Sequence, residues 1–138
     1  MPGDAPCRVL LVADHRGATA ALGAHLRHHG FAVVGLEAAP AAARAAAARE
    51  RPDVVLIDAS VEGGWQAVVR ALDAVSPCRV AVLAAYWGSD ARRDAAEAGI
   101  GATLLKQVSG GELVARLRAL ALAGPGAGSA AAADGPAS

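Results

Sequence analysis

Three side chains in this sequence have the types and the places to handle a phosphoryl group or a divalent cation: Asp14, Asp58 and Lys106. Asp14 comes just after the aliphatic run Val9–Val12, Asp58 directly follows Val54–Ile57, and Lys106 directly follows Ala102–Leu105. Two clustered carboxylates can hold a hard cation such as Mg²⁺, which prefers oxygen ligands and keeps water or phosphoryl oxygens in its shell. An ammonium beside them can pair with the same phosphoryl group as a point charge. Lys106 stands out for a second reason: the chain has thirteen Lys+Arg, and this is its only lysine.

The elements that must position these groups are legible as a repeat. Five short aliphatic runs, Val9–Val12, Ala32–Leu36, Val54–Ile57, Val80–Leu83 and Ala102–Leu105, recur every 22–26 residues. Unbroken apolar runs of this length suit strands buried on both faces, as in a parallel sheet covered by helices on each side. The segments between them predict helices over about 18–29, 40–51, 65–75 and 90–98, with a fifth opening at the Ser109-x-x-Glu112 box. Gly30 and Gly99 follow helix ends, and Pro40 suits a first helical turn. The pattern is (βα) five times over, an α/β doubly wound parallel sheet with right-handed crossovers. Such sheets bind ligands outside the carboxyl ends of their strands, the rim to which Asp14, Asp58 and Lys106 are all delivered.

Composition narrows the function classes. The 138 residues make one domain, and 38 of them are Ala, so the core is compact and aliphatic, built mostly from Val and Leu. Thirteen Lys+Arg balance thirteen Asp+Glu, which argues against the basic surplus of a nucleic-acid binder. No run is long and apolar enough for a membrane span, and the opening Met1–Pro6 has neither a basic start nor an apolar signal core, so a cytoplasmic location is expected. Residues 1–7 read as an N-terminal extension, 8–123 as the folded domain and 124–138 as a disordered Gly/Ala/Pro tail.

The stretches RVLLVADHR (8–16), HHGFAVVG (28–35), RPDVVLIDASVEGG (51–64), RVAVLAAY (79–86) and EAGIGATLLK (97–106) resemble the receiver domain of two-component response regulators, most of all the nitrate-response, LuxR-type subfamily. The spacings from Asp14 to Asp58 to Lys106 agree without an insertion. The resemblance implies a flavodoxin-like sheet of order 2-1-3-4-5. It also implies that Asp58 is the phosphoacceptor for a histidine kinase or phosphotransfer protein, and that Lys106 contacts the phosphoryl group. Asp14, Asp58 and the backbone carbonyl of Ser60 would ligate Mg²⁺. Such a module is a signalling protein rather than an enzyme, and it acts through protein-protein contacts with an output partner the sequence does not name, on the face of the fourth and fifth helices and the fifth strand. This chain carries no room for the DNA-binding domain that the subfamily usually appends, so DNA binding is not expected.

Several positions depart from the family pattern. Ala13 stands where the family has a second acid, which weakens the expected hold on Mg²⁺. Ala84 replaces the Thr or Ser whose hydroxyl follows the phosphoryl group, and Thr103 replaces the Tyr or Phe that moves with it. Glu62, four residues after Asp58, is a candidate substitute carboxylate. The switch is therefore degenerate, and an interaction module acting independently of phosphorylation is the alternative function.

The remaining chemistry-bearing residues are less specific. His25, His28 and His29 read as a solvated helix end rather than a metal site. Cys7 and Cys78 precede strands separated by another, about 10 Å apart at ~4.8 Å per strand, beyond disulfide reach. Trp65, Tyr86 and Trp87 fall near the active rim, either as binding anchors or as a lid over the Ala-rich core. A cobalamin or flavin site is disfavoured, because Arg16 and Thr19 stand where the cobalamin signature needs His and Gly, and Thr19 alone makes no flavin phosphate loop.

Overall fold

A computed structural model describes residues 6–14, 16–73 and 79–123. The elements alternate in chain order: β1 (Arg8–Val12), α1 (Arg16–His28), β2 (Ala32–Glu37), α2 (Pro40–Glu50), β3 (Val54–Asp58), α3 (Gly64–Leu72), β4 (Arg79–Ala84), α4 (Ser89–Glu97), β5 (Ala102–Leu105) and α5 (Gly110–Ala123). The strands form one sheet in the order β2-β1-β3-β4-β5, and every neighbouring pair is parallel. Both the doubly wound architecture and the expected strand order hold.

The aliphatic runs make central strands because each face of the pleat has a helix layer to bury against. Successive residues point to opposite faces. Leu10, Val12, Val55, Ile57, Val80 and Val82 pack with α2, α3 and α4. Their alternates Val9, Leu11, Val54, Leu56, Ala81 and Leu83 pack with Leu26 of α1 and Leu113, Val114, Leu117 and Leu120 of α5. In α2, Ala43, Ala46 and Ala47 are buried at helical spacing, so the Ala excess there forms a flat inner face.

Helix ends follow local chemistry. Gly30 and Gly99 take φ of +90° and +78°, the left-handed reversal that ends α1 and α4. Arg51 makes the same reversal at φ 49°, with its N–H donating to the Ala47 carbonyl. At the start of α5 the Glu112 N–H donates to Ser109 Oγ at 3.1 Å, the cap expected from the Ser-x-x-Glu box. Among the described residues no helix is long and apolar enough to cross a membrane. Cys7 is half-buried and free. Its comparison with Cys78, and the expectation for the tail 124–138, lie outside the described residues.

Candidate functional site

Asp58 is the last residue of β3, held between β1 and β4, and its position follows from the apolar run before it. Once Val54–Ile57 are locked into the sheet, the next residue must emerge at the carboxyl rim. The chain then turns sharply, and Ser60 folds back on the carboxylate. The Ser60 N–H donates to Asp58 Oδ1 at 2.9 Å, and the Ser60 hydroxyl donates to the same oxygen at 2.7 Å. This is an Asx-type turn of the kind an Asp-x-Ser sequence favours. Lys106, delivered by the end of β5, places Nζ 2.9 Å from Oδ1 as a third donor. Among the described residues Oδ2 takes no hydrogen bond, so the carboxylate has one restrained oxygen and one free one.

Burial pushes the Asp58 pKa up, but the Ser60 N–H, the Ser60 hydroxyl and the Lys106 ammonium together outweigh it and hold the carboxyl below its ordinary value. The group is therefore anionic at neutral pH. The Asp58–Lys106 pair is partly open to solvent, so it adds at most ~1 kcal/mol to stability. Its importance is as local charge balance.

Val12 pairs with Ile57, so the residues after β1 run beside Asp58. Ala13 supplies only a methyl group there, and its N–H donates to the Glu37 carbonyl at 2.9 Å. Asp14 follows in the bend leading to α1, half-buried at the same rim. Asp14, Asp58 and the Ser60 carbonyl all offer oxygen, the ligand type that Mg²⁺ prefers. Among the described residues no group of three or more His, Cys, Asp or Glu side chains is gathered to hold a metal ion. Glu62 is exposed and is not among the partners of Asp58. Ala84 is buried at the end of β4, and Thr103 lies in β5 opposite Val82, half-buried.

The rim aromatics divide. Trp65 and Trp87 are both 6% exposed, with ring centroids 6.4 Å apart, and they lid the core above α3 and α4. The Trp87 indole N–H also donates to the Leu104 carbonyl at 2.9 Å, which ties the loop after β4 to β5. Tyr86 is 79% exposed and free to meet a partner.

One histidine departs from expectation. His28 is exposed, but the Nε2 of His25 is buried without a hydrogen-bond partner among the described residues. A Cβ on Gly110 would lie 2.6 Å from that nitrogen, so only glycine at the start of α5 leaves room for the ring. No periodicity announces this contact, because it joins α1 to α5, helices distant in sequence that share one face of the sheet. The pair of hydrogen bonds from Ser60 has a local signal in the sequence, the Asp-x-Ser order.

Comparison with known proteins agrees with this arrangement. The receiver domain of Klebsiella pneumoniae RstA, in a BeF3-activated form, is 25% identical, with a TM-score of 0.74 over 83% of this chain and 98% of that one. The signal receiver domain of the putative response regulator NarL from Mycobacterium tuberculosis is 26% identical, with a TM-score of 0.76 over 84% and 96%. A response regulator from Thermotoga maritima is 25% identical, with a TM-score of 0.71 over 84% and 98%. No curated protein matches. Residues 9–118 match the response regulator receiver domain family, a span that takes in the five strands except Arg8 and reaches into α5, and the chain belongs to that family.

Proposed function

We propose that this chain is a phosphorelay receiver that takes a phosphoryl group onto Asp58 from a histidine kinase or phosphotransfer protein and signals through contacts with another protein. The observation that carries the reading is the asymmetry of the Asp58 carboxylate, with three donors on Oδ1 and Oδ2 free at the strand end. In an in-line displacement, Oδ2 attacks the phosphorus of a phosphohistidine, the P–N bond breaks, the imidazole leaves and an aspartyl phosphate forms. Ser60 fixes the carboxylate so that the same oxygen always faces outward. Lys106, already within 2.9 Å, offsets the charge of the incoming phosphoryl group.

Asp14, Asp58 and the Ser60 carbonyl are the groups that would hold Mg²⁺. When bound, it supplies further neutralisation of the phosphoryl oxygens. With Ala13 in place of a second acid, its binding is weak and the reaction needs millimolar metal. The output face comprises α4, β5 and α5, where Arg92, Arg93 and Arg116 line one groove with the exposed Leu105. This mixture of apolar and cationic groups fits a protein surface, and a net charge of zero gives no bias toward DNA.

A second reading has an observation of its own. Trp87 pins the loop after β4 to Leu104, and Ala84 has no hydroxyl with which to follow a phosphoryl group. On that reading the chain is an interaction module that binds its partner irrespective of phosphorylation.

Intact-mass measurement after acetyl phosphate treatment separates the two. The first reading expects a gain of one phosphoryl group, dependent on millimolar Mg²⁺ and abolished in Asp58→Asn. No gain at any Mg²⁺ concentration overturns it. Partner binding by Asp58→Asn and Asp58→Glu equal to that of the native chain establishes the second.

A further inference from the structure

Asp58 Oδ1 accepts the Ser60 N–H at 2.9 Å, the Ser60 hydroxyl at 2.7 Å and the Lys106 ammonium at 2.9 Å. We propose that the hydroxyl and the ammonium compete with Mg²⁺ for this oxygen, which makes the Ser60 side chain a determinant of how tightly the chain holds the metal. The inference rests on phosphoryl acceptance at Asp58 and adds a cause of weak metal binding separate from Ala13.

The first reason is the capacity of the oxygen. Each carboxylate oxygen offers about two lone-pair sites. Three donors leave nothing on Oδ1 for a cation, whereas Oδ2 takes no hydrogen bond among the described residues. On the proposed function Oδ2 becomes bonded to phosphorus, so Oδ1 is what Asp58 can still offer a metal. A cation on one lone pair leaves room for a single donor, and the other two have to move.

The backbone decides which two. The Ser60 N–H is fixed by its turn, where the Val61 N–H donates to the Asp58 carbonyl at 3.0 Å and the Ala59 N–H donates to the Leu83 carbonyl at 2.7 Å. The Ser60 hydroxyl rotates about a single bond, and because Ser60 is exposed, water replaces the lost acceptor. The Lys106 ammonium rides on a flexible four-carbon stem, and its side chain is 38% exposed. The Lys106 backbone stays pinned, its N–H donating to the Ala84 carbonyl at 2.9 Å, so the displaced ammonium remains at the rim where a phosphoryl group would sit.

Charge acts in the same sense as capacity. An ammonium 2.9 Å from Oδ1 repels a divalent cation at that oxygen until it withdraws. The sign for Ser60 follows. Its expected metal ligand is the backbone carbonyl, which Ser60→Ala keeps, so removing the side chain takes away a competitor and should tighten binding.

The test exploits Lys106 as the only lysine, which gives the full chain labelled with ¹³C-lysine a single side-chain NMR signal. Mg²⁺ is titrated at constant ionic strength, with circular dichroism checking the fold of each variant. In the native chain the Lys106 signal should move saturably as the ammonium leaves Oδ1, and Asp58→Asn should abolish the response. Ser60→Ala should lower the Kd about fivefold, the worth of one modest hydrogen bond, and Ser60→Thr should return it to the native value. Ser60→Gly, which also lacks the hydroxyl, repeats the measurement independently. A Kd unchanged or raised in folded Ser60→Ala or Ser60→Gly overturns the proposal. So does a Ser60→Thr chain that binds like Ser60→Ala, a response that survives Asp58→Asn, or no saturable response in any of these chains. Acetyl phosphate labelling is scored separately. Labelling without a Ser60 effect removes this inference and leaves the proposed function standing, whereas a Ser60 effect without labelling supports the competition and removes the proposed function.

Discussion

Trp87→Phe tests whether the loop after β4 is pinned as the structure describes. The indole N–H donates to the Leu104 carbonyl in a buried setting, and the ring itself is 6% exposed against Trp65, within a core cluster that also holds Ala95 and Ile100. Phenylalanine keeps an aromatic ring but removes the donor. Leaving a buried carbonyl without its partner costs ~1–3 kcal/mol. The smaller ring leaves a partial void, costing ~1 kcal/mol more on the scale of large-to-small core substitutions. The sum is about 2–4 kcal/mol, and a domain of this size loses ~4 °C of Tm per kcal/mol, so a fall of roughly 8–16 °C is expected. Urea unfolding followed by circular dichroism should show the same loss as a lower midpoint at constant slope. Tyr86→Ala is the control, because a side chain 79% exposed one residue away should shift stability by no more than ~0.5 kcal/mol. If the two variants prove equally stable, Trp87 does not anchor the loop, and the observation favouring a phosphorylation-independent module is lost.

Three other outcomes follow from single contacts. Ser60→Ala removes the hydroxyl donor from Asp58 Oδ1 but keeps the N–H, so NMR titration of the Asp58 carboxyl should give a higher pKa than in the native chain; an unchanged titration refutes the stated cause. Because that carboxyl is held below its unfolded value, its stabilisation is complete above ~pH 4 and disappears as pH falls through the folded pKa, so the stability gap between native and Ser60→Ala chains should close in acid. Gly35→Ala places a Cβ 2.8 Å from Leu10 Cδ1, beside the register shift where β2 meets β1, and should destabilise by ~1–3 kcal/mol in denaturant unfolding. Burial, aided by the Asp53 carboxylate and opposed by Arg118 and Arg79, raises the Cys7 thiol to about 11, so in a Cys78→Ser background iodoacetamide should label it far more slowly at pH 8 than after unfolding.

The fold was readable because its signal is repeated and one-dimensional. Each strand is an aliphatic run, and the structure extends four of them, by Arg8 for β1, Glu37 for β2, Asp58 for β3, and Arg79 and Ala84 for β4, of which only Ala84 is apolar. Helix boundaries moved by one to three residues. Gly64, for instance, opens α3 ahead of the apolar Trp65. The inner face of α2 could not be read from hydrophobicity at all, because Ala occupies both its buried and its exposed positions.

The site was legible where chemistry sits at strand ends and opaque where it depends on contacts between distant segments. Asp58 and Lys106 follow aliphatic runs, so strand register alone brings them together at 2.9 Å. The bond from Trp87 to Leu104 and the packing of His25 against Gly110 each join elements that only the folded sheet makes neighbours, and no local pattern encodes them. That difference bears on mechanism. The groups that would receive a phosphoryl group are specified by the strands, the most robust part of the chain. The parts that would respond to it, the loop after β4 and the start of α5, rest on contacts such as the Trp87 indole bond and the Ser109 cap. On the proposed function, Ala84 would leave the response disabled while Asp58 stays intact, so phosphorylation and signalling have to be measured as separate properties of this chain.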